Sequence, residues 1–232
     1  KFSAAIEAYV KKRQYQKETF EIELFPKAGT LKVLDKQLIA YTGNTGGSGG
    51  PHLHFEIRDP QERPINPLMF GFDVKDTTPP VIYGLFGYPI SENSHVGGDT
   101  KRVEIRIIKQ KDGTYKSEPI IAYGEIGFGI ISMDRQDLAS NKNGVNNIQT
   151  SFNGQKSLEV NLNRFSFDET KHLNRYIDYE FLYNNKKRIQ KLFIEKNNPL
   201  SVMNAFTNGG ALKIENNTYS IFFSYTLCQF LL

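Results

Sequence analysis

The sequence predicts a mainly β chain, a partial antiparallel β-core followed by a β-sandwich, and three observations carry that prediction. Short runs of alternating apolar and polar residues recur through most of the 232 residues. Asparagine, glycine and proline punctuate those runs at short intervals. A single early segment has a helical period instead. The adjacent Pro79 and Pro80 fix φ at two successive positions and mark a stiff linker at 76–80. The expected organisation is therefore a first domain at 1–75, the linker, and a second domain at 81–232.

The elements follow in order. Phe2, Ala5, Ile6, Tyr9 and Val10 recur at helical spacing, so residues 3–17 are expected as an amphipathic helix. Residues 19–25 alternate as a strand with Phe20, Ile22 and Leu24 inward, 26–29 form a turn, and 31–34 and 37–42 read as two more strands. The string GNTGGSGGPHLHFEIRD at 43–59 is a glycine-rich turn running through Pro51 into a strand. Pro60, Pro64 and Pro67 cannot donate to a ladder and close the domain. Beyond the linker, 103–108 alternates, 111–114 is a turn, and 118–123 and 129–133 are apolar runs. Residues 158–162, 176–183 and 189–194 read as further strands, the last two joined by a turn at 184–187. Several short strands at this spacing favour a β-sandwich.

The 43–59 string carries the chemistry. Leu53, Phe55 and Ile57 alternate with His52, His54 and Glu56, and a period of two puts both imidazoles on one face. Strand rise separates them by about 6.7 Å, while a ligating histidine sits about 2 Å from its metal. One ring can therefore bind an ion while its neighbour reaches a water or substrate oxygen on that ion. The same pattern also fits a solvent-facing strand with two incidental histidines. Glu56 shares the histidine face, either orienting an imidazole or standing as an exposed strand carboxylate. Asn44, Thr45 and Gly46 are candidate substrate contacts, although turn chemistry already accounts for them. The glycine run lacks the Lys-Ser/Thr of a phosphate-binding loop and opens into a strand, so it suits the close approach of a substrate backbone better than a phosphate.

Taken whole, GNTGGSGGPHLHFEIRD closely resembles the last motif of the lysostaphin/LytM-type zinc metallopeptidases, bacterial enzymes that cut peptidoglycan peptides. The lead-in at 38–43 is similar to the strand that precedes the glycine turn in that family, and the resemblance spans about residues 1–72, most strongly 31–72. It implies the partial antiparallel β-core of that peptidase domain, Zn2+ as cofactor, His54 as a zinc ligand and His52 as the catalytic histidine beside it. It also implies peptidoglycan peptides as partners and a cell-envelope location, periplasmic or extracellular. In the family, two histidines and an aspartate hold the zinc, with water in the fourth position.

The sequence departs from the family pattern upstream. No histidine precedes His52, whereas the family places His-x-x-x-Asp and Tyr-x-His-Leu motifs there. Lys1, Phe2 and Ser3 resemble the residues just after the second motif. The expectation is a fragment cut inside the catalytic domain and inactive by itself. The rival expectation is a degenerate, non-catalytic relative that binds peptidoglycan or regulates another hydrolase. Lys36 also replaces the family's usual turn glycine. After the linker, the pattern resembles the entry to Ig-like modules of bacterial surface proteins.

Composition bounds the rest. Hydrophobic content of 39%, charged content of 23% and a net charge of +4 fit a globular protein with an ordinary surface. No basic stripe interleaved with aromatics points to nucleic acid. The single cysteine, Cys228, excludes an internal disulfide framework. No stretch reaches the ~20 apolar residues of a membrane-spanning helix. The apolar end at 221–232 reads either as a buried final strand or as a departure from a native continuation. His95 and Asp99 show His-x-x-x-Asp spacing but lie after the linker, as a loop beside a Gly-Gly turn. His172 is expected in an exposed polar connection. Residues 141–144 echo a calcium loop, but Ala139 and Thr150 stand where its carboxylates belong.

Overall fold

The computed structural model describes residues 2–44, 49–221 and 224–225, with the backbone alone from 216 onward. The chain divides into two compact units, Lys1–Phe55 and Glu56–Leu232.

The first unit holds α1 (Ala4–Lys17), a helix where one was expected, but it buries none of its residues, so the expected apolar face has no core to meet among the described residues. A Glu7–Lys11 pair at 3.4 Å spans one turn of it. Glu18 ends it with φ 52°, a left-handed cap. Residues 19–25, 31–34 and 37–42, expected as strands, are irregular; isolated bridges join Phe2 to Ala40 and Gly43 to His52. Phe20 is 92% exposed and Leu34 78%. No residue of this unit is buried among those described. The physical reason lies in what makes a strand. Alternation yields one only where a neighbour takes its backbone N–H and C=O groups and a second layer covers its apolar side. The described residues of this unit provide no such layer.

The second unit is mainly β, and its strand pairs are all antiparallel among the described residues. A small hairpin comes first, β1 (Ile57–Arg58) on β2 (Pro64–Ile65). Next come β3 (Val81–Pro89), β4 (His95–Val96), β5 (Val103–Ile105), β6 (Ile107–Lys109), β7 (Tyr115–Ser117) and β8 (Ile120–Met133). Then follow β9 (Asn147–Phe152), β10 (Gln155–Asn161), α2 (Leu173–Tyr176) and α3 (Tyr179–Asn185). The last are β11 (Gln190–Lys191), β12 (Met203–Ala205), β13 (Leu212–Ile221) and β14 (Ser224–Tyr225).

The largest sheet runs β11-β8-β3-β5, with β13 and β4 also paired to β8. A second sheet is ordered β12-β10-β9 and a third β14-β7-β6. Ile126, Phe128 and Ile130 of β8 share one hydrophobic cluster with Ile148, Leu158 and Val160 of β9 and β10. The Phe128 and Phe152 rings, 6.1 Å apart, join the first two sheets directly. The opposite face of β8 is covered as well, because an added Cβ at Gly127 would lie 2.3 Å from Phe193 Cδ1. Coverage on both faces explains why β8 reads as a near-continuous apolar run. The runs at 118–123 and 129–133 are parts of this one strand.

Two expectations change here. Residues 176–183, read as a strand, carry α2 and α3 instead. Asp178 accepts the Phe181 N–H at 2.9 Å and so caps α3, while Lys186, φ 57°, ends it. The segment at 184–187 therefore closes a helix rather than turning a hairpin. The residues around Pro79 and Pro80 are also more than a spacer. Thr77 N–H and Oγ1 and Thr78 Oγ1 all donate to the Asp137 carboxylate, at 3.0, 2.7 and 2.9 Å. Residues 56–75 belong to the second unit, tied in by Asn66 N–H on the Asn163 carbonyl at 2.7 Å. Of the terminal run at 221–232, Ser224 and Tyr225 pair with β7; residues 222–223 and 226–232, Cys228 included, lie outside the described residues.

Candidate functional site

His52 is placed by the bridge to Gly43, which closes the glycine-rich turn on itself. Its Nδ1 lies 2.9 Å from the Gly50 carbonyl. A carbonyl can only accept, so Nδ1 carries the proton, and in the neutral ring Nε2 keeps its lone pair. The imidazole is exposed. This is the arrangement of a side chain able to take a proton or face a metal-bound group.

The strand expected after Pro51 does not continue through His54. Residues 53–56 have no regular structure, and β1 starts at Ile57. Leu53 is 79% exposed and Phe55 58%, whereas Ile57, in β1, is half-buried. His54 is exposed too. Glu56 falls in the second unit and receives Arg58 Nε and Nη2 on one carboxylate oxygen, both at 2.6 Å. Asn44 is exposed, and Thr45 and Gly46 lie outside the described residues.

The turn glycines carry information of their own. A Cβ at Gly43, Gly49 or Gly50 would meet nothing within 4 Å, and none of these residues has a positive φ. Among the described residues, neither packing nor a positive φ calls for glycine at these positions.

His95 sits in β4 and stacks on Tyr123 at 5.5 Å, so it is a sheet residue rather than the expected loop histidine. Asp99 answers Val96 in a tight backbone exchange, with N···O distances of 2.9 and 3.0 Å. His172, partly buried, ends the 3-10 turn Phe167–His172 instead of standing exposed. Among the described residues, no group of three or more His, Cys, Asp or Glu side chains could hold a metal ion. These residues do not, on their own, fit the zinc site that the resemblance implies.

The sequence reading assigns no role to Asp178. Tyr88 Oη donates to its carboxylate at 2.8 Å and Arg102 forms an ion pair with it, while the Arg102 guanidinium lies 4.8 Å over the Phe181 ring. Burial by itself would raise the Asp178 pKa, but the Phe181 N–H, Tyr88 and Arg102 together hold it below the ordinary value. Burial, then Asp178, push the Tyr88 hydroxyl upward. The cluster joins α3 to the large sheet and has a structural purpose.

Comparison with known protein families, curated proteins and solved structures finds no match to this chain.

Proposed function

We propose that this chain carries part of a zinc-dependent endopeptidase that cleaves peptide bonds in bacterial peptidoglycan, at the cell envelope. The observation that carries the reading is the joint arrangement around His52. Its Nε2 is the nitrogen left to accept, and it borders a turn where a Cβ on Gly43, Gly49 or Gly50 would meet nothing within 4 Å among the described residues. Glycine there lets a substrate backbone approach closely. In this reading, His52 holds and moves a proton at Nε2, and Asn44, Thr45 and Gly46 line the approach of the substrate. His54 is one zinc ligand, and the other ligands come from outside the described residues. A zinc ion held by His54 and those further ligands would supply Lewis-acid polarisation of a scissile carbonyl and a water of lowered pKa. Glu56, expected to orient an imidazole, has its carboxylate held by Arg58. The second unit is proposed as an Ig-like sandwich that positions the enzyme, supported by its antiparallel sheets around a shared core.

The test is release of new amino termini from purified peptidoglycan by a protein that carries His-x-x-x-Asp and Tyr-x-His-Leu segments ahead of Lys1. Hydrolysis is expected to disappear on chelation and in His54→Ala; full activity in that variant rejects the assignment. A second reading is a degenerate, non-catalytic wall binder of the same fold. Peptidoglycan pull-down without hydrolysis, unchanged by chelator, would select it.

A further inference from the structure

The second unit contains a cavity of about 350 Å³ lined by Arg63, Asn161, Asn163, Arg164, Glu169 and Asn204, among others. Its chemistry can be read from which atoms are already engaged. The chain of amides starts at a backbone group: Leu68 N–H donates to Asn66 Oδ1 at 3.1 Å, which fixes the Asn66 amide. Asn66 Nδ2 then donates to Asn146 Oδ1 at 3.1 Å, and Asn146 Nδ2 donates to Asn163 Oδ1 at 2.8 Å. Because each amide has one oxygen and one nitrogen, the polarity of the whole relay follows from the Leu68 N–H. Asn163 Nδ2 is left as a donor with no partner among the described residues. Asn161 reaches the same state independently, since its Oδ1 accepts the Asn163 N–H at 3.0 Å. The wall therefore offers the Asn161 and Asn163 amide donors, while the oxygens of both amides each already accept one internal hydrogen bond.

The charges define how much negative charge the site accepts. Arg63 and Arg164 both reach the Asp59 carboxylate, at 2.7 and 3.3 Å, and the Asp59 side chain is only 8% exposed. Arg63 holds the Asp59 carboxyl below its ordinary pKa. Arg63 is held through Nε and Nη2 by Asp59 and Gln61, whereas Arg164 makes a single long contact to Asp59 and is half exposed. Glu169 lines the same cavity and takes Ser201 N–H and Oγ at 3.0 and 2.8 Å. Two arginines face two carboxylates, so the site as a whole has no net charge, and what it offers an anion is local: Arg164, held by one 3.3 Å contact and half exposed, is the less committed cation. A monoanion can face Arg164, while a dianion would also face Glu169. The Asn204 side chain, exposed and unpartnered among the described residues, presents both an N–H and a C=O, the complement of a peptide group.

We propose that this cavity binds the free carboxyl end of a short peptide, with Arg164 as its charge partner and the Asn161 and Asn163 amides donating to its oxygens. At this size it takes one or two residues. Neither His52 nor His54 lines the cavity, and binding there does not depend on hydrolysis, so His54→Ala is expected to leave it unchanged.

The experiment is a titration of the isotopically labelled protein, following side-chain amide and guanidinium N–H resonances. The probes are N-acetyl-alanyl-alanine, its C-terminal amide and inorganic phosphate. The free acid is expected to shift the Asn161, Asn163 and Arg164 signals saturably and to bind at least tenfold tighter than either other probe. Arg164→Gln should weaken binding at least tenfold, and Asn163→Asp, which puts a carboxylate where a donor stood, should abolish it. Asn204→Ala, an exposed position with no partner to lose, should weaken binding severalfold and supplies the test if either of the other variants misfolds. No saturable shift, equal binding of acid and amide, tighter binding of phosphate, or unchanged affinity in folded variants would each overturn the proposal.

Discussion

Tyr88 donates its hydroxyl to Asp178 at 2.8 Å and thereby fastens the end of β3 to the first turn of α3. The same carboxylate caps that helix and pairs with Arg102. One side chain that is 5% exposed therefore satisfies three donors. Asp178→Ala removes a cap, costing about 1 kcal/mol, and strands two polar partners, costing about 1–3 kcal/mol. Urea denaturation followed by circular dichroism should show a loss near the middle of the combined range, and Tyr88→Phe a loss of about 1 kcal/mol. A change within error for Asp178→Ala would mean the cluster is incidental.

The same cluster sets a pH window. The Asp178 pKa is lowered on folding, so its contribution is present above the unfolded carboxylate value, about 3.9, and is lost as pH falls through the folded value. The Tyr88 pKa is raised, so its contribution is present below about 10 and is lost as pH rises through the folded value. Stability profiles of Asp178→Asn and Tyr88→Phe should lose part of the acid and alkaline limbs respectively. Limbs identical to those of the parent protein contradict the assignment.

The contrast between α3 and β8 shows what sequence could and could not convey. The apolar content of β8 was plain, but it read as two separate runs, 118–123 and 129–133, and the reason for Gly124, Gly127 and Gly129 was not visible. They are places where Ser94, Phe193 and Ile189 come too close for a side chain, a fact of tertiary packing. Residues 176–183 are rich in aromatics, which favours a strand by propensity. Asp178 as a cap and Lys186 as a left-handed stop outweigh it, and that signal was legible in the spacing. At the site, the His52 and His54 motif was visible because its residues are contiguous. The amide relay was not, because Asn66, Asn146 and Asn163 lie far apart and each reads as a turn residue.

Two glycine substitutions should separate packing from function. Gly127→Ala places a methyl 2.3 Å from Phe193 and is expected to cost about 1–3 kcal/mol. Trimming the ring in a Gly127→Ala, Phe193→Leu double variant should cost less than the two single changes together. Gly49→Ala meets nothing within 4 Å, so its stability should stay within about 0.5 kcal/mol of the parent. Under the proposed function it should nevertheless slow hydrolysis by crowding the approach to His52. Equal destabilisation by both alanines in thermal melts would show that the turn at 43–50 is packed after all.

Hydrogen exchange should divide the chain along the same physical line. Ile126, Phe128 and Ile130 lie in a strand with hydrogen-bonded neighbours on both sides and are at most 2% exposed. Their amides open only with global unfolding of the second unit. Residues 19–39 have no strand ladder, and Phe20, Phe25 and Leu34 are each at least 78% exposed. Little apolar burial opposes opening there, so amides in that stretch should exchange orders of magnitude faster, while those within α1 fall between the two groups. Mass-spectrometric exchange on the intact chain provides the check. Protection across 19–39 equal to that of β8 would mean that a buried layer covers those aromatics in solution, and the irregular backbone described for that stretch would be wrong.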